Sequence, residues 1–201
     1  MSVGFFVGIA NSYTDDAQND ANALIDAINR ELAERELEPY EEANISADAY
    51  YKHNKLGRSS LDHHSAKMIA RLGEMAAEQF DAVDAGLLDV NPYRLVFVPR
   101  PLDEPLYTDH TETIWGSDVG IIAGSLDGLL DDLRRLAPQL GIPLDDGELT
   151  DEIAGRIDRA EPLVDGEDDW DLVENGRTAW LAVYEAARIA HDNDIALCLA
   201  G

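Results

Sequence analysis

The sequence predicts an α/β (or α+β) fold in one domain over residues 1–201, with about four short buried strands in a mixed sheet and about five amphipathic helices. Three observations predict it. Short continuous apolar runs have the pattern of strands covered on both faces. Longer segments repeat apolar residues at helical spacing. A hydrophobic content of 45% over 201 residues supplies a sizeable core. The order β-α-α-β-β-α-α-α-β lacks the strict alternation of a doubly wound fold.

The first run, Val3 to Ala10, ends at Asn11-Ser12 and suits a buried strand. Thr14 then offers an N-cap, with Asp15 and Asp16 in the first turn where the helix dipole favours them. Ala17, Ala21, Leu24, Ile25, Ile28 and Leu32 recur at helical spacing through Glu36, and Pro39 closes the element. Residues 40–60 are irregular, apart from a short element around Ala47 to Lys52. A second helix is predicted from Ser60 to Phe80, with Leu61, His64, Met68, Ile69, Leu72, Met75 and Ala76 on one face.

Leu95 to Val98 is the next buried strand, stopped by Pro99 and Pro101, and Asp103 to Ser117 is predicted as a long loop. Val119 to Ala123 gives another strand. Ser125 then caps a helix carrying the stripe Leu126, Leu129, Leu130, Leu133 and Leu136, which Gly141 and Pro143 terminate. Thr150 starts a shorter helix reaching Ile157. After an acidic loop (Asp165 to Asp169), Asp171 to His191 forms a last helix with Trp180, Leu181, Tyr184 and Ala187 inward. Ile195 to Leu199 closes the chain as a strand.

Charge constrains function more than any motif does. The chain carries 41 Asp plus Glu against 15 Lys plus Arg, a formal net charge of -26. With a folded core available, the acids belong mainly on the surface. Such a surface repels nucleic-acid backbones and anionic membranes, and it attracts basic partners. No apolar stretch is long enough to span a bilayer, and no positive region precedes the first apolar run as in a signal peptide, so the expected compartment is the cytoplasm. The single cysteine, Cys198, lies in an apolar run and reads as a small buried hydrophobe.

The charge is uneven. Residues 43–80 hold four acids and five bases, against ten acids and two bases in residues 1–42. One candidate site follows from this island: Lys52, His53, Lys55 and Arg58, with Ser59 and Ser60 opening the second helix, would gather around an anion. Its alternative is internal neutralisation of neighbouring acidic helices. The adjacent His63 and His64 diverge by ~100° on a helix and do not share a metal.

The second candidate is the 103–115 loop, with Tyr107, Asp109, His110, Glu112 and Trp115. Its aromatics are the side chains that anchor interfaces; its Asp and His also suit a base or a cation. No nucleophile elbow, dinucleotide fingerprint or calcium loop is present, and no catalytic residue, metal or cofactor is assigned.

Three functions compete. The first is an acidic interaction module, which resembles in size and charge the immunity-type proteins that neutralise a basic, nuclease-like partner. A variant is mimicry of DNA, with the carboxylates of Asp15 to Glu42 in phosphate positions. The second is a small enzyme or ligand-binding protein joining residues 50–71 to the 103–115 loop. The third is a salt-adapted protein whose acidity describes its source. Oligomeric state is open.

Overall fold

Alternation along the inner strands decides which side chains go to which face of the sheet. The computed structural model describes residues 2–9, 15–42, 64–65, 71–76, 95–114, 117–163 and 176–200. Among the described residues there are six strands: β1 (Ser2–Val7), β2 (His64–Ser65), β3 (Leu95–Val98), β4 (Leu106–Ile114), β5 (Ser117–Ser125) and β6 (Leu197–Ala200). The helices are α1 (Asp15–Glu34), α2 (71–76), α3 (Leu126–Leu136), α4 (Asp151–Asp158) and α5 (Arg177–Asp192).

The strands form one mixed sheet in the order β2-β1-β6-β3-β5-β4. β3 and β5 run parallel, and the other neighbours are antiparallel. The four apolar runs of the sequence are the four inner strands, β1, β6, β3 and β5. The α/β class is the direct result.

Leu95 and Phe97 of β3 lie opposite Leu199 and Leu197 of β6, and all four pack under the helices α3 and α5. Val96 and Val98 point the other way, with Ala196, Ile121 and Ala123, onto Leu24, Ile28 and Leu32 of α1. The sheet is therefore covered on both faces. Among the described residues, α1 is the helix of one layer, and the opposite layer holds residues from α2 to α5.

Local signals operate where the sequence places them. Ser125 is extended, and its Oγ accepts from the Gly128 N–H at 3.2 Å, capping α3. All five leucines of the stripe are buried. A 3₁₀ turn (Ala137–Leu140) comes next and ends at Gly141, at φ 61°. Thr150 caps α4 through the Ile153 N–H. Trp180, Leu181, Tyr184 and Ala187 of α5 are fully buried.

Two expectations are corrected. The predicted loop from Asp103 to Ser117 contains a nine-residue strand, β4, pairing with β5. Only one face of an edge strand needs apolar residues: Leu106 and Thr108 are buried while Tyr107 and Asp109 are exposed. The predicted helix from Ser60 to Phe80 is corrected at His64 and Ser65; residues 60–63, 66–70 and 77–80 lie outside the described residues. His64 and Ser65 pair with Val3 and Ser2 of β1, so His64 is not on a helical face. Leu72 and Ala76 of α2 are buried, as that prediction required. Cys198 is partly buried, packed at the margin of the α1-side core.

Candidate protein-binding surface

On the α1 side, long-range hydrogen bonds add to the apolar packing. Asn29 of α1 accepts the Tyr40 N–H at 2.7 Å and donates to the Tyr40 carbonyl at 3.0 Å. That pair brings the chain after α1 back against the helix. The fully buried Tyr40 hydroxyl donates to Glu42 Oε1 at 2.8 Å and accepts the Ala196 N–H at 2.7 Å. Glu42 Oε1 also accepts the Ile9 N–H at 2.7 Å. Burial, and then the Glu42 charge, push the Tyr40 phenol far above its ordinary range, so it stays a neutral donor. The segment between α1 and Glu42 is thereby pinned to the sheet.

The turn leaving α1 displays a carboxylate at a strained position. Glu36 N donates to the Ala33 carbonyl and Leu37 N to the Leu32 carbonyl, the paired bonds that close a helix around a left-handed residue. Glycine is the usual occupant; here it is Glu36, at φ 59°. Asp194 holds the same place after α5, at φ 53°, and Asp146 lies at φ 49°. Carboxylates thus occupy backbone positions where they add strain and reach solvent.

Exposed acids continue along this surface: Asp26 and Glu34 on α1, then Glu36, Glu38 and Glu41, with Asp103 and Glu104 next to β4. Arg30 of α1 and Arg35 just after it are engaged elsewhere. Arg30 makes a bidentate pair with Asp109, both contacts at 2.6 Å. Arg35 donates to the carbonyls of Glu104 and Pro105 at 2.9 and 2.8 Å. The two guanidinium groups tie α1 and the turn after it to β4 and the residues just before it.

A second acidic stretch, Asp145 to Glu152, lies on the other side of the sheet. Asp145 and Glu148 bridge across a tight turn whose central residues, Asp146 and Gly147, both have positive φ. Asp145, Asp146, Asp151 and Glu152 are exposed. Burial opposes the Glu148 charge, but the Tyr184 hydroxyl and the Arg134 guanidinium outweigh it and hold the carboxyl below its ordinary range.

The remaining cations are occupied in the same way. Arg71 pairs with Glu74, Arg100 with Asp194, Arg135 with Asp132, and Arg159 with Glu161. Arg188 bridges Glu185 and Asp192, Arg156 bonds the Pro162 carbonyl, and the buried Arg177 bonds the Leu140 carbonyl. Every arginine among the described residues is bound to a carboxylate or a backbone carbonyl, and the exposed acids outnumber them.

Of the predicted site residues, Lys52, His53, Lys55, Arg58, Ser59, Ser60 and Trp115 lie outside the described residues. Tyr107, Asp109, His110 and Glu112 fall in sequence along β4. Tyr107 and Asp109 are exposed, and His110 is half-exposed. The Asp109 carboxylate is held by Arg30. Sequence reasoning missed the Tyr40–Glu42 pin, which needs contacts 156 residues apart in the chain. No described helix is long and apolar enough to cross a membrane.

Among the described residues the arrangement is a polyanion: carboxylates on hydrogen-bonded backbone, with the arginines turned to internal bonds. No curated protein and no solved structure matches the chain. The model of a family described as "Putative DNA-mimic protein" matches residues 1–199, and the chain belongs to that family.

Proposed function

We propose that the chain is a DNA mimic that occupies the DNA-binding surface of a basic protein and so excludes duplex DNA from it. One observation carries the reading: the described arginines are engaged by internal bonds while acids on pinned backbone face solvent. Pre-organised charge loses little freedom on binding, and it steers a basic partner at long range. Family membership supports the same reading. Within it, the finer proposal is an immunity-type inhibitor, with a nuclease-like protein of the cytoplasm as partner. The role is one of binding, without catalysis.

The test is competition. A basic DNA-binding protein retained by the immobilised chain is identified, purified and mixed with labelled duplex DNA. Added chain is expected to release the DNA, with affinity falling steeply as salt rises. A ternary complex with DNA, or retention of no protein that DNA displaces, overturns the reading. Loss of a nuclease activity on addition of the chain supports the finer proposal.

A further inference from the structure

Two large hydrophobic side chains among the described residues stand exposed, Tyr107 at 60% and Leu37 at 40%. Leu37 follows α1, and Tyr107 lies on β4 opposite Ile122 of β5. Leu37 comes two residues after Arg35, whose guanidinium grips the Pro105 carbonyl, and Tyr107 comes two residues after Pro105. β4 is the outermost strand of the sheet, and among the described residues no strand pairs with its outer edge. It is nine residues long, against two for β2 at the opposite edge.

The inner side of β4 is held fast. Leu106 is fully buried, and the Thr108 hydroxyl donates to the Ile121 carbonyl at 2.9 Å. An open edge of this kind is a template for another strand, and lysine on the strand is a common guard. Residues 103–114 contain no lysine or arginine; Asp103 and Glu104, at the start of the strand, are exposed, and Asp109 is held by Arg30. A second copy of the chain would set those acids against themselves. A basic segment would meet opposite charge.

We propose that the outer edge of β4 takes up an extended, Lys/Arg-rich segment of the partner as an added strand, with Tyr107 as its apolar anchor. The inference rests on the reading that the partner is a basic protein. Main-chain bonds supply affinity there, and the acids at the strand's start select the partner's charge.

A labelled peptide of roughly ten residues, alternating Lys or Arg with Val or Thr, tests it by fluorescence anisotropy with the full chain. The same peptide N-methylated at alternate amides, in each of its two registers, has equal charge but loses pairing along one edge. Methylation in one register is expected to weaken binding about tenfold, as is Tyr107→Ala, while Tyr107→Phe keeps most of it. Equal binding of all three peptides, or binding by none, overturns the edge and leaves the competition with DNA untouched. So does a dimer in sedimentation that shuts the peptide out, since a second copy then fills the edge. Failure of the DNA competition with the methylation effect intact removes the mimic and keeps the edge.

Discussion

The two faces of the sheet are built on different principles. Under α3 and α5 the contacts are apolar and dense: Phe97, Leu129, Leu133, Trp180 and Leu181 are fully buried. Trp180 and Tyr184 stack at 4.7 Å, and the Trp180 N–H donates to the Leu133 carbonyl at 2.8 Å. Over the other face α1 is the one helix among the described residues, and long-range hydrogen bonds through Asn29, Tyr40 and Glu42 fix the segment that leaves it. The α3–α5 layer thus carries most of the dense apolar packing, whereas on the α1 side hydrogen bonds hold an acidic segment in place.

The largest effect should break that division if it is false. Trp180→Ala removes a fully buried ring and a hydrogen bond, and is expected to cost about 3–5 kcal/mol in urea melts. Changing Asp26, Glu34, Glu38 and Glu41 together to Asn or Gln is expected to leave stability unchanged or raised, because self-repulsion falls. The same change should abolish partner binding. A combined variant that unfolds would show that the exposed acids are structural.

Next comes the pin. Tyr40→Phe keeps the ring but leaves the Ala196 N–H with only the longer Glu42 contact, at 3.3 Å. A loss of about 1–3 kcal/mol is expected in thermal or urea melts. Amide exchange of residues 36–42 should rise more than that of α5. Equal protection of both would mean that the pin does not hold the acidic segment.

Smaller still, and opposite in sign, is Glu36→Gly. Glycine adopts φ 59° without a Cβ clash, so melts should show a gain of about 0.5–1 kcal/mol. Partner affinity should fall at the same time, as one displayed charge is lost. A loss of stability would sink the claim that charge is kept here against backbone strain.

Legibility in the sequence divides along the same line. The α3–α5 side was legible because its signals are local: the Ser125 and Thr150 caps, the leucine stripe and the inward residues of α5 need only their neighbours. The inner strands were legible because burial on both faces leaves continuous apolar runs. β4 was not, since an edge strand with Thr and Asp on its open face has the composition of a loop. β2 was hidden because His64 and Ser65 gain their strand character from pairing with β1, not from their own pattern. Tyr107, Asp109, His110 and Glu112 were legible as one group, though as a loop rather than an edge. Arg30 and Arg35 were not, because the partners they clamp lie 79 and about 70 residues away.

The smallest expected effect is one of pH, and it concerns Glu148 in the second acidic stretch. The Glu148 carboxyl sits below its ordinary range because Tyr184 and Arg134 favour its charged form against the cost of burial. Between that lowered value and the ordinary one near pH 4, the unfolded chain binds more protons than the folded one. The stabilising contribution is therefore whole above the ordinary value and is lost as pH falls through the lowered one. Glu148→Gln should reduce stability at neutral pH, with the gap closing in acid. Urea melts of the variant and the parent chain from about pH 3 to 7 measure it. A gap for Glu148→Gln that persists at the acid end would mean that its bonds to Tyr184 and Arg134 act without its charge.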